Sequence, residues 1–116
     1  MFGYAGKILQ VDLTHRKISS KPLKKSFCQE YIGGNGFSIR LLFDHAAPNI
    51  DPLSSDNPLI FTVGPFAGTM VPTSGKYVVQ AKSPLSNLMG ESVSSGSWGP
   101  TLKRAGWDAI IIKGKS

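Results

Sequence analysis

The chain has 116 residues, enough for one domain with its own buried core and too few for two. Hydrophobic residues make up 41% and charged residues 17%, which excludes a disordered polyelectrolyte, while 13 Gly and 8 Pro favour turns and short strands over long helices. The formal net charge of +6 suits an anionic partner without choosing among a cofactor, a nucleic acid and an acidic membrane surface.

In chain order, Lys7 to Leu13 alternates, with Leu9, Val11 and Leu13 on one side and Gln10 and Asp12 on the other. This predicts a half-buried strand with Leu9, Val11 and Leu13 inward. Thr14-His15-Arg16-Lys17 reads as a turn with the His15 ring in water, and Lys17 to Ser20 as a short returning strand. Pro22 to Ile32 has Leu23, Phe27 and Tyr31 at helical spacing. Gly33-Gly34-Asn35-Gly36 stops that helix, and helical spacing resumes from Phe37 to His45. Pro48 and Pro52 bracket a loop. Leu59 to Val63 is an apolar strand ended by Gly64-Pro65. Tyr77 to Ala81 and Leu88 to Ser92 are two further strands. Pro100 is expected at the first position of a short helix, with Lys103 and Arg104 at its C-terminal end and Gly106 as its cap. Ala109 to Ile112 is apolar throughout and predicts a strand buried on both faces. The class is α+β and strand-dominated, with antiparallel or mixed sheets and short helices. No internal boundary appears, so residues 1–116 form a single unit.

The one cysteine, Cys28, excludes a disulfide framework and any zinc or iron–sulfur site built from this chain alone. Its helical setting predicts a buried structural thiol, and a free thiol fits a reduced, cytoplasmic compartment. No apolar run approaches the roughly 20 residues that span a bilayer, and the N-terminus lacks a signal-peptide pattern, so no membrane partner is expected. The cations His15, Arg16, Lys17, Lys21, Lys24 and Lys25 cluster without interleaved aromatics, which reads as a solvated face and weighs against a nucleic-acid platform.

Two segments could carry chemistry. Ser92-Val93-Ser94-Ser95-Gly96-Ser97-Trp98-Gly99 precedes a helix start, where unpaired amides favour an anion and small residues let it approach the backbone. Ser74-Gly75-Lys76-Tyr77 opens a strand with a cation that could meet a phosphate. An ordinary capped Ser/Gly loop and an exposed strand-end lysine fit the same residues. Gly33-Gly34-Asn35-Gly36 lacks the dinucleotide fingerprint, since Ile39 stands where a third Gly is required, and reads as a backbone turn. His15 and His45 have no nucleophile partner by spacing, and no acidic cluster has metal-loop spacing, so no catalytic residue is assigned. Glu91 is the carboxylate nearest the Ser-rich loop. Trp98 and Trp107 are read as packing residues, with Trp98 also placed to line a planar ligand.

Several segments together resemble the N-terminal domain of the tungsten-containing aldehyde ferredoxin oxidoreductases. They are Gly6 to Thr14, Tyr31 to Gly36, Asp51-Pro52-Leu53-Ser54 with Asp56-Asn57, Gly64-Pro65 with Gly68-Thr69, Pro72 to Lys76, Lys82-Ser83-Pro84-Leu85, and Lys103 to Ala109. The resemblance implies part of a two-sheet β structure that forms a base for a bis-pterin tungsten (or molybdenum) cofactor. It implies cofactor binding at Lys76 and at Val93, Ser94, Ser95 and Gly96, with the Val93 carbonyl on a bridging magnesium. A [4Fe-4S] cluster would take its cysteines from residues outside this chain. The implied activity is aldehyde oxidation to a carboxylate with ferredoxin as acceptor. The implied partners are the remainder of the oxidoreductase, ferredoxin and the aldehyde, with homo-oligomerisation compatible, and the chain alone is expected to be inactive. Val93 stands where the family often has Asn, which leaves a backbone ligand intact. Lys76 stands in a position shared with Arg, which keeps the charge and loses the planar fork. Two alternatives stay open: a non-catalytic basic module for an anionic ligand or nucleic acid, and a subunit that acts only by assembly.

Overall fold

A computed structural model describes all 116 residues. The elements are β1 (Lys7–Asp12), β2 (Lys17–Pro22), α1 (Lys25–Tyr31), α2 (Asn35–His45), β3 (Leu59–Val63), β4 (Tyr77–Lys82), β5 (Met89–Ser94), α3 (Trp98–Arg104) and β6 (Ala109–Lys113). The strands form one six-stranded sheet in the order β2-β1-β6-β3-β4-β5. β1 and β6 run parallel and every other neighbour pair is antiparallel. The α+β, strand-dominated architecture with short helices is as expected. The two sheets that the resemblance implied are one sheet within these residues.

Strand alternation sorts the sheet into two faces. One cross-strand row runs Gln10, Ile111, Ile60, Gln80, Glu91, and the next row on the other face runs Leu9, Ile110, Phe61, Val79, Ser92. The first face packs under α1 and α2, where Ile8, Ile60, Ala109 and Ile111 join Cys28, Phe37, Leu41 and Leu42 in the main core. Phe27 and Phe37 meet in a tilted pair with ring centroids 4.9 Å apart. α3 lies over part of the second face, where Leu102, Val63 and Ala67 form a smaller cluster.

This layering corrects several sequence expectations. On β1 the buried residue is Ile8, on the face of Gln10, while Leu9 and Val11 are half-buried and Leu13 is exposed. On β6 only Ala109 and Ile111 are buried, because the second face has partial cover. Pro22 and Leu23 are not helical. Pro22 pairs with Lys7, and the Leu23 amide donates to Gly6 O, which carries β2 past Ser20 and delays α1 to Lys25. Asn35 and Gly36 belong to α2, and the break between the helices is confined to Ile32–Gly34, with φ of 63° at Ile32 and 51° at Gly34. β5 runs from Met89 to Ser94 and not from Leu88 to Ser92, because pairing with β4 overrides the loop-like Ser composition. Pro100 is the third helical residue of α3, not the first. The first-turn amides have no intrahelical acceptor, so proline costs nothing there either. Gly106 follows the helix at φ 95°, with its amide on Lys103 O, as a C-terminal cap should.

Candidate functional site

The end of the sheet where β4 begins and β5 ends holds a cavity of about 420 Å³. Val71, Thr73, Ser74, Gly75 and Lys76 line it from the loop before β4, and Ser95 and Gly96 from the turn after β5. The β4–β5 ladder causes the convergence: Tyr77 pairs with Ser94, so the residues just outside each strand must lie side by side. A Cβ on Gly75 would stand 2.8 Å from the Gly96 carbonyl oxygen, so only glycine allows this approach. Gly96 itself has φ 105°. The amides of Gly75, Lys76, Ser95 and Gly96 donate to no backbone carbonyl. One ammonium and a set of free amides around a small-residue cavity can receive an oxyanion.

Lys76, Ser95 and Gly96 are therefore together. Val93 and Ser94 are not in the cavity wall; both are residues of β5, opposite Val78 and Tyr77. Their main-chain directions differ. The Ser83 amide donates to Leu88 O at 2.7 Å, and the Lys82 amide turns the other way, to Asn57 Oδ1 at 3.0 Å. Odd-numbered β4 residues therefore face β5. By alternation Gly90, Ser92 and Ser94 bond to β4, while Met89, Glu91 and Val93 point their N–H and C=O out of the open edge. The Val93 carbonyl is thus unengaged by the sheet.

Thr73 lies outside both candidate segments and Ser74 at the margin of one, yet both line the cavity. Thr73 holds φ 57°, a strained conformation for a β-branched residue, and Ser74 Oγ donates to Val71 O at 2.7 Å. Only their position between Pro72 and Gly75 hinted at a special turn. Trp98 serves packing: its ring lies 4.6 Å from Tyr77 and 5.2 Å from Phe61, centroid to centroid. Glu91 is exposed on the edge strand, with Oε2 3.4 Å from Gln80 Nε2.

The remaining titratable groups serve the fold. Asp108 is fully buried. It accepts from Lys103 Nζ at 2.6 Å and from the amides of Ala5 at 3.1 Å and Gly6 at 2.7 Å. Lys103, expected as a cation at the end of α3, is in that last turn but spends its charge on this pair. Cys28 is buried, and burial, with Asp108 adding to it, pushes its thiol above the ordinary range, which suits an inert structural residue. His15 lies in the β1–β2 turn with Nδ1 2.8 Å from Asp12 Oδ2. No three His, Cys, Asp or Glu side chains cluster as a ligand set. A metal seated here would be held by main-chain oxygens or by a ligand carrying its own donors, which fits a cofactor that binds its metal itself. No helix is long and apolar enough to cross a membrane.

Comparison with known proteins gives the family of the chain. Residues 8–116 match the model of the family described as "Aldehyde ferredoxin oxidoreductase, N-terminal domain". The chain is 47% identical over its whole length to a tungsten-containing aldehyde ferredoxin oxidoreductase of Pyrococcus abyssi, covering 19% of that protein. To the enzyme of the same name from Pyrococcus furiosus it is 38% identical, again over the whole chain and 19% of the relative. Among solved structures, the active site complex BamBC of benzoyl coenzyme A reductase superposes with a TM-score of 0.96 at 36% identity, over 99% of this chain and 18% of that one. The chain thus spans about a fifth of the length of the curated relatives it matches. A match over nearly every residue, with the fold reproduced as a whole, establishes that this chain belongs to the aldehyde ferredoxin oxidoreductase family and corresponds to its N-terminal domain.

Proposed function

We propose that the chain is the cofactor-seating N-terminal part of a tungsten-dependent oxidoreductase that converts aldehydes to carboxylates with ferredoxin as electron acceptor. One observation carries the reading: Lys76 and the Ser95–Gly96 turn meet at one cavity, with free main-chain amides around it. Lys76, Ser95 and Gly96 would hold the phosphate-bearing end of a pterin cofactor, with Ser94 at the adjoining strand end. The Val93 carbonyl, free at the open edge, would offer a main-chain oxygen to a magnesium ion. The bound tungsten (or molybdenum) centre supplies the two-electron oxidation. This chain's share is to neutralise phosphate charge and to fix the cofactor's orientation through rigid strand ends.

A [4Fe-4S] cluster would take its ligands from the remainder of the oxidoreductase, since the single cysteine is sealed in the core. A cytoplasmic location goes with this reading. The likeness to a benzoyl coenzyme A reductase complex as well as to aldehyde oxidoreductases supports a seat common to enzymes of different substrates, with the substrate chosen by residues elsewhere. Nothing in the site favours a nucleic-acid module.

Lys76→Ala in the complete oxidoreductase tests the seat. A charge-assisted hydrogen bond is worth about 1.5–3 kcal/mol, so cofactor retention should weaken roughly 10- to 100-fold. Tungsten and pterin content of the purified variant are the readout, and contents equal to the parent's would refute the assignment.

A further inference from the structure

The two edges of the sheet are built differently. β2, at one edge, carries Lys17, Lys21 and Pro22, residues that discourage a further strand from adding. β5, at the other, reads Met-Gly-Glu-Ser-Val-Ser, without lysine, proline or bulge, and it is exposed along nearly its whole length. Its outward N–H and C=O groups at Met89 and Glu91, with the N–H of Val93, form an unguarded template.

A second feature sits one strand further in. Gln80 is fully buried, its Nε2 donates to Asn35 Oδ1 at 2.5 Å, and its Oε1 has no partner. A buried carbonyl oxygen left unpaired is costly and calls for a donor. Glu91, directly opposite Gln80, is the only acidic residue between Asp56 and Asp108 in a chain of net charge +6. An exposed, isolated carboxylate on the edge strand is complementary to a cationic side chain, and Glu91 Oε2, 3.4 Å from Gln80 Nε2, is held in place from the sheet side.

We propose that the open edge of β5 pairs with an extended segment from the remainder of the oxidoreductase, and that a Lys or Arg of that segment reaches the exposed Glu91. The proposal rests on the reading that this chain works inside a longer oxidoreductase; the relatives, of which it covers 19%, hold ample sequence to supply the strand. Strand addition gives main-chain hydrogen bonds, and the ion pair at Glu91 sets the register. It also places a rigid neighbour beside the cavity of Lys76, Ser95 and Gly96.

Residue-resolved hydrogen–deuterium exchange on the complete oxidoreductase, cofactor-loaded and cofactor-stripped, tests this. The amides of Met89, Glu91 and Val93 should exchange at least about 100-fold slower than unstructured amides in both forms. Glu91→Lys should speed their exchange at least about 10-fold while the β4 amides stay protected. Fast exchange in both forms of the parent overturns the proposal. So does protection that vanishes with the cofactor, which would mean that the cofactor covers the edge and would leave the seat reading intact. Protection that depends on protein concentration overturns it too, because the occupant would then be a second copy. Protection in both forms combined with normal cofactor content in Lys76→Ala would sink the seat and leave the strand.

Discussion

At the scale of single residues, the structure gives its one fully buried carboxylate a structural task. Asp108 gathers Lys103 and the amides of Ala5 and Gly6, so the N-terminal segment, α3 and the start of β6 are tied at one point. Lys103 Nζ also donates to Gly3 O at 2.9 Å and lies 5.6 Å from the Tyr4 ring centroid. Removing one member of such a pair leaves the other charge nearly buried and alone, at a cost of about 3–5 kcal/mol. Asp108→Asn, which keeps the shape and loses the charge, should therefore lower stability by about that amount in urea unfolding. A loss below about 1 kcal/mol would show that water reaches Lys103. Sequence reading missed this node. Lys103 and Asp108 are only five apart, but the spacing of Ala5 and Gly6 from Asp108 exceeds one hundred residues, and local pattern has no access to that distance.

At the scale of elements, the junction between α1 and α2 is set by close backbone approach. A Cβ on Gly36 would collide with the Tyr31 carbonyl oxygen. Gly36 lies in the first turn of α2, and that turn must sit against the end of α1 for Phe27 and Phe37 to meet. Gly36→Ala should destabilise the protein by about 1–3 kcal/mol, as overpacking does, although alanine is the better helix former. Thermal unfolding measures this, and an unchanged or raised midpoint would refute the close approach. The Gly-rich run is legible in sequence as a backbone turn. Its boundary is not, because glycine signals permission to turn and does not say which residue uses it.

At the scale of the whole molecule, the candidate site exists only as a joint product of two loops. Residues 71–76 and 95–96 share no local signal; the β4–β5 ladder brings them together. A negative charge placed there should oppose the cofactor's phosphates. Ser95→Asp in the complete oxidoreductase should cut pterin and tungsten content at least about 10-fold. Ser92→Asp, on the second face of the sheet and outside the cavity wall, should not. Equal loss in both would mean that the effect is on folding and not on the seat. The lysine, the glycines and the approximate strands could be read from the chain, since alternation and turn chemistry are local properties that a linear pattern records. The segments that resemble the family identify it correctly.

What amino-acid order determined by itself was the class of the fold, the approximate strands and helices, and the residue types suited to an anion. Tertiary structure alone decided which face of β1 is buried, that Val93 and Ser94 lie in a strand while Ser95 and Gly96 turn into the cavity, and that β5 ends the sheet unguarded. The reason is that a strand's inward face and its pairing edge are set by neighbours arriving from distant sequence. α1 and α2 bury one face of β1, and β4 claims one edge of β5. Periodicity shows that a strand has two sides, but only packing selects between them.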